Sequence, residues 1–332
     1  MRFLISALWL LCASTACTRS KPEELRVPAS EVKPQRFPLK FSDGGEVVFE
    51  YYVLDAEKWH AKAKARLGGL LHDLRRSPVI RARLGERERA ILDRLRIEVI
   101  NSDRVIWSST VRGGVETIEV SYGALWFVEE FAANMSNMLV FDDYRFMTLL
   151  LEGERAYDRR LDRRWFTAEA YRRGRGYEVP SVLPPGFEHF TMVAELQMVS
   201  AGALHELCHL FHATAGPDAK VKLEGKSRDE RLAIRTRWEL EADRCAGDHL
   251  ASIGALAQMG MAMVLGVAAV ADDPAQSVHP PTAERIALLQ DLSDRALMDL
   301  LQQGKIGANA ADSYRELMRR YGAILEHVGS PD

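Results

Sequence analysis

The sequence predicts an α+β fold, mostly helical, with a small antiparallel sheet ahead of the helices that carry its chemistry. Three observations lead there. Short runs rich in β-branched and aromatic residues, EVVFEYYVL, RIEVIN, RVIWSSTV and VETIEVSY, all fall in the first 122 residues. After them apolar residues recur at helical spacing through long stretches such as GALWFVEEFAANMSNMLV. The bulk composition, 47% hydrophobic and 27% charged over 332 residues, suits one large or two small globular units. The net charge of −3 carries no signal for nucleic acid, and none is expected as a partner.

The N-terminus reads MRFLISALWLLCASTACTRS. Arg2 precedes an apolar run, Phe3 to Leu11, too short to span a bilayer, and small residues follow. This is the layout of a signal peptide, expected over residues 1–16. Small residues directly before Cys17 resemble the lipobox of bacterial lipoproteins, although Ser14 stands where leucine is usual. The resemblance implies an acylated Cys17 and a lipid-anchored protein of the bacterial envelope. Thr18, not Asp, follows the cysteine, and the resemblance to sorted lipoproteins implies the outer membrane, facing the periplasm.

Residues 17–40, with Pro22, Pro28, Pro34 and Pro38 among polar residues, read as a tether. A first folded portion is expected over residues 41–190. It opens with a turn at SDGG and a strand at residues 46–54. A charged helical stretch runs from Ala56 to about Arg96, broken near Ser77-Pro78. Two short strands, a turn at RGG and the alternating strand VETIEVSY follow. Residues 153–176 are rich in arginine interleaved with acids, which reads as a solvated helical face. PSVLPPGFEHF, residues 180–190, reads as a loop.

The second portion, residues 191–330, is expected to be helical. TMVAELQMVSAGALHELCHLFHA gives one long helix and RLAIRTRWELEADRCAGDHLA another, with a polar loop between. The uncharged run at residues 251–271 is dominated by Ala and Gly and reads as a buried core helix rather than a membrane span. Cys208 and Cys245 remain beyond the signal and anchor region. Two small buried residues are the ordinary reading; an oxidising compartment also permits a bridge.

HELCH, residues 205–209, is the informative stretch. His205 and His209, at i and i+4, share one helix face and can share one ion. Glu206 is rotated one position round, where it can reach a water without ligating. The other reading is a structural histidine pair. A catalytic zinc wants three protein ligands and an open position. His212 lies about 10.5 Å along the helix from His205 and reads as a rim residue. In WELEADRCAGDHLA, Glu239 and Asp243 share a face: Glu239 can ligate, and Asp243 can fix the tautomer of a ligand histidine. Glu241 is the reserve ligand. Ala242 and Ala246 would let this helix pack closely.

HELCH followed by ELEAD resembles the HExxH…ExxxD signature of gluzincin peptidases of the HtpX and CAAX-prenyl-protease type. HPPTAERI, residues 279–286, is similar to that family's downstream HP-x4-RI stretch. The motifs cover roughly residues 195–290. The 29 residues between His209 and Glu239 are fewer than usual there, and nearer the spacing of ImmA/IrrE-type peptidases. The resemblance implies a zincin-like fold and one catalytic Zn²⁺ on His205, His209 and Glu239. It implies Glu206 as general base and Asp243 behind a ligand. His279 and Arg285 are the candidates for stabilising the oxyanion, ahead of Tyr314 and Tyr321. It also implies Val115–Tyr122 as an edge strand able to bind a substrate backbone.

The expected function is therefore hydrolysis of peptide bonds in protein or peptide substrates, as in envelope quality control. The alternatives are a non-catalytic, zinc-stabilised binding or assembly factor, and an ImmA/IrrE-like regulatory peptidase.

Overall fold

The computed structural model describes residues 35–40, 46–51, 56–158, 168, 171–172, 175–177, 187–252 and 283–304, together with 306–309, 311–312, 315–316, 319 and 323. The signal region, Cys17, most of the tether, the uncharged run beyond Ser252, His279, Tyr314 and Tyr321 lie outside the described residues, as does much of the arginine-rich segment.

Strands β1 (Gln35–Lys40) and β2 (Glu46–Tyr51) form an antiparallel hairpin. The end of the expected tether is thus a strand, paired residue for residue with the stretch read as β2. Helix α1 (Ala56–Arg76) follows and stops where expected. Ser77 accepts a hydrogen bond from the Ile80 amide and Pro78 opens α2 (Pro78–Arg83), the positions at which Ser and Pro satisfy or forgo the first amides of a helix. Helix α3 (Glu86–Arg94) leads into β3 (Arg96–Ile100), then β4 (Trp107–Arg112) and β5 (Val115–Ser121).

These three strands form one sheet in the order β3-β5-β4. β5 runs antiparallel to β4 and parallel to β3. The sheet is therefore mixed, not antiparallel, and β5 is its centre, not its edge. A tight turn with Gly113 and Gly114 at positive φ joins β4 to β5 as a hairpin. The β3-to-β4 connection has no such turn, and β3 instead lies along the far side of β5.

Ser121 ends the sheet and starts the helical part. Its Oγ accepts from the amides of Ile106 and Ala124 and donates to the Arg104 carbonyl. One hydroxyl thus closes the loop ahead of β4 and caps α4 (Tyr122–Phe141). Helix α4 buries Leu125, Trp126, Phe127, Phe131 and Met135 in the main core. α5 (Arg145–Asp158) packs beside it.

Helix α6 (Phe187–Phe211) carries the HELCH stretch and packs on α4 and on the sheet. It begins inside the segment expected to be a loop. Gly202 lets it approach β4: a Cβ there would lie 3.0 Å from the Trp107 ring. Part of the expected polar loop after it is a short helix, α7 (Pro217–Leu223), opened by Pro217. Helix α8 (Arg228–Ser252) packs on α6, and α9 (Ala283–Gln302) packs on α8. Ala242 and Ala246, both fully buried, allow the close α8 packing that their small size suggested.

Candidate metal centre

Helices α6, α8 and α9 each send polar side chains into one dry space. His205, Glu206, His209, Glu239, Asp243 and Arg285 are all buried. On ordinary helix surfaces such residues face water. Their burial costs free energy unless each finds a partner, so their convergence needs a chemical reason.

The geometry supplies one. His205 Nε2 and His209 Nε2 lie 3.1 Å apart. Glu239 Oε2 is 3.2 Å from His205 Nε2, and Glu239 Oε1 is 3.1 Å from His209 Nε2. Three donors thus crowd one point. Donors at about 2.0–2.1 Å from a tetrahedral ion sit ~3.3 Å from one another, close to what is found. His205, His209 and Glu239 can hold a metal ion.

Both histidines are turned to present Nε2. His205 Nδ1 lies 3.0 Å from Asp243 Oδ1, and a carboxylate at that distance favours the proton on Nδ1. His209 Nδ1 lies 2.8 Å from Thr214 Oγ1. That hydroxyl gives its only proton to the His209 carbonyl oxygen, at 3.2 Å. It must therefore accept from Nδ1–H. Each imidazole is left with its Nε2 lone pair for a ligand, the tautomer a metal needs.

Thr214 was not singled out from the sequence, and its placement comes from the end of α6. Ala213 adopts a left-handed conformation, φ 53°. The Thr214 amide then bonds the His209 carbonyl at 2.9 Å, and the Ala213 amide bonds that of Leu210 at 3.3 Å, a Schellman ending with alanine in the glycine position. The reversal brings Thr214 back over the histidine five residues earlier. The signal in the sequence was the helix-ending Gly216-Pro217 close behind a hydroxyl residue.

Arg285 takes a different place from the one expected. It is fully buried, with Nε 2.7 Å from Asp243 Oδ2, Nη2 2.9 Å from Asp243 Oδ1, and Nη1 3.1 Å from Glu239 Oε2. It clamps Glu239, a member of the candidate donor set, and Asp243, the acid behind His205. Glu241 and His212 lie outside the cluster: their closest approach is 3.8 Å to each other, both partly exposed. His212 is thus at the rim, as the helix geometry required.

The electrostatics suit a cation. Three carboxylates against one guanidinium leave an excess of negative charge that a divalent ion would neutralise. Burial opposes a second proton on His205, but Glu239 and then Asp243 outweigh it and raise its pKa to about 10. The two carboxylates thus favour positive charge at this ring, and an ion at Nε2 would take the place of a second proton. Burial pushes Asp243 up, and Arg285 with His205 pulls it down further, so it is held below the usual carboxylate range.

Cys208 and Cys245 form a disulfide, with Cα atoms 6.0 Å apart. The ordinary reading of two separate buried residues is corrected. The bond joins α6 to α8, one residue from His209 and two from Asp243. It closes a loop of 37 residues, worth about 4 kcal/mol by the chain-entropy relation.

No family model matches the chain, and neither do the curated proteins or the solved structures compared with it. Among the described residues, no helix is long and apolar enough to cross a membrane.

Proposed function

We propose that this protein is a zinc metalloendopeptidase of the bacterial envelope, held at the membrane by an acylated Cys17 and acting on protein or peptide substrates. The observation that carries the reading is the donor set itself. Two histidines with their Nδ1 atoms already engaged and one carboxylate meet at a single point, and Glu206 follows the first histidine on the same helix. Two nitrogens and an oxygen suit zinc, and three protein ligands leave a position open. A purely structural zinc has four protein ligands.

When bound, Zn²⁺ supplies a Lewis acid that polarises the scissile carbonyl and makes water easier to deprotonate. Glu206 takes the proton from the attacking water and returns it to the leaving amine. Asp243 and Thr214 fix the two imidazoles, and Arg285 holds Glu239 and Asp243 in register. His279 remains the candidate for the oxyanion. The strand able to receive a substrate backbone is not β5, whose two sides are both taken. It is β4, paired on one side among the described residues and lying against α6.

The test is turnover of an unfolded protein by full-length protein in detergent, zinc-loaded, wild type against Glu206→Gln. Gln is nearly isosteric and leaves the three ligands in place. Activity should fall by at least about 10²-fold, the usual range for general acid–base catalysis, with zinc content unchanged. Equal rates, or none in the wild type, would leave the non-catalytic, zinc-stabilised binding factor as the better account.

A further inference from the structure

The polar cluster at the metal centre is not the only set of ligand-type side chains between α6 and α8. On α8, Cys245 and His249 stand at i and i+4 and so share a face. Cys208 reaches them from α6. The two sulfurs and a ring nitrogen of His249 lie within 4.8 Å of one another. Cys208 is adjacent to His209 in sequence but points about 100° round the helix from it. This second cluster is therefore separate from His205, His209 and Glu239.

His249 is the telling member. It is buried, 8% exposed, and among the described residues its Nδ1 has no hydrogen-bond partner. A polar nitrogen left without a partner in a dry site costs free energy, and the Phe211 ring at 6.4 Å offers it none. A disulfide needs no histidine beside it. A metal held by two thiolates does gain from a third donor.

We propose that Cys208, Cys245 and His249 form a second metal site, closed while the disulfide stands and opened by its reduction, that takes a thiolate-preferring ion such as Zn²⁺. A dithiol reductant attacks one sulfur, and a mixed disulfide forms and resolves. The reductant leaves as its own disulfide, and two electrons and two protons pass to Cys208 and Cys245. The ion then binds both thiolates and the imidazole, and the two thiol protons go to solvent. Cys245 is only half-buried, which gives the reductant access. Tetrahedral ligation at about 2.3 Å places two sulfurs ~3.8 Å apart. Soft thiolates with an imidazole select zinc, or copper in its lower oxidation state, over calcium or magnesium.

The site does not depend on the peptidase reading, and Co²⁺ separates the two. Thiolate ligation gives Co²⁺ a sulfur-to-metal charge-transfer band that a His–His–Glu set cannot produce. Full-length protein in detergent is stripped of metal, then titrated with Co²⁺ before and after reduction by a phosphine, with free thiols counted. The oxidised chain should show no such band. The reduced chain should take one further equivalent of Co²⁺ and show it. Cys245→Ser should abolish the band. His249→Ala should weaken the further equivalent at least about tenfold, the loss that even outer-shell partners cause. Reduced protein with two free thiols and no charge-transfer band would overturn the proposal, as would a bond that resists reduction in the folded protein. Absence of the first, sulfur-free equivalent would count against the peptidase reading alone.

Discussion

Arg285 meets Asp243 side-on, Nε to Oδ2 at 2.7 Å and Nη2 to Oδ1 at 2.9 Å, with both side chains wholly buried. Asp243 in turn faces Nδ1 of His205 at 3.0 Å. A guanidinium on α9 is thus linked to the His205 ring on α6 through a carboxylate on α8. Burial alone would drive Arg285 toward its neutral form, but Asp243 and Glu239 raise its pKa instead. Each partner keeps the other charged in a dry place.

Removing one partner strands the other. Arg285→Met should lower the unfolding free energy by about 3–5 kcal/mol, as for other broken buried pairs, read from urea unfolding. Arg285→Lys is the sharper probe, because an ammonium cannot span Asp243 and Glu239 with a fixed fork. Zinc affinity should drop together with activity. If Lys leaves zinc affinity intact and lowers kcat alone, the guanidinium acts on substrate and not on the ligands.

Thr214→Val keeps the shape and deletes the hydroxyl. His209 Nδ1 then loses its acceptor, and the ring loses its reason to offer Nε2. Zinc affinity should fall about 10- to 100-fold, the effect of losing an outer partner of a ligand histidine. Thr214→Ser should restore most of it. Competition with a chromophoric chelator measures both. A Val variant with wild-type affinity would mean that packing alone orients His209.

Local pattern and long-range pairing differ in what they leave in a sequence. His205, His209, Glu239 and Asp243 were legible because the i, i+4 rule operates within one helix, and the structure brings these four together. The break at Ser77-Pro78 was legible for the same reason, since cap and proline act on their own turn. The place of β5 was not. Alternation in VETIEVSY reports one buried face and says nothing about how many neighbours a strand has. Only the parallel pairing with β3, set by the packing of α1 and α3, makes it central. The Cys208–Cys245 bond depends on the crossing of α6 and α8, and the role of Arg285 on where α9 docks. Neither is written in a spacing. The start of α6 at Phe187 was hidden by the prolines just upstream, which mark a turn without saying how soon a helix resumes.

Away from the metal centre, Asp143 is the acceptor for a compact donor set. Tyr171 and Tyr177 donate to its Oδ2 at 2.8 and 2.9 Å, and the Arg145 amide and Nε donate to its Oδ1 at 3.1 and 3.0 Å. Burial pushes its pKa up, but Arg145 and the tyrosines prevail, and it is held below the ordinary carboxylate value. A depressed folded pKa means stability that is present above the unfolded value, about 3.9, and lost as pH falls through the folded value. Urea unfolding from pH 7 down to pH 3 should show that loss. Asp143→Asn should be less stable than wild type at pH 7 by about 2 kcal/mol, in the range for hydrogen bonds to a charged group. The gap should narrow toward pH 3. A constant gap across that range would show that Asp143 contributes by shape and not by charge.

Glu239 and Glu241 stand two residues apart on α8 and face different ways. Glu239 is 2% exposed, with its oxygens 3.1 and 3.2 Å from the two Nε2 atoms. Glu241 is partly exposed, and its nearest ion-pair partner, the rim histidine His212, is 3.8 Å away. An exposed pair at that distance is worth about 1 kcal/mol or less, so Glu241→Ala should leave both fold and zinc content close to wild type. Glu239→Ala should remove one of the three candidate ligands and strip zinc from the protein on dialysis. It also leaves Arg285 Nη1 without the carboxylate it meets at 3.1 Å, so the apoprotein loses stability as well. Glu239→Gln separates the two effects: an amide oxygen can still accept from Arg285, yet it is a poorer zinc ligand than a carboxylate. The fold of Glu239→Gln should survive near wild type while zinc is lost or much weakened. Metal analysis beside thermal unfolding of the three variants decides it. Zinc lost in Glu241→Ala and kept in Glu239→Gln would overturn the ligand assignment.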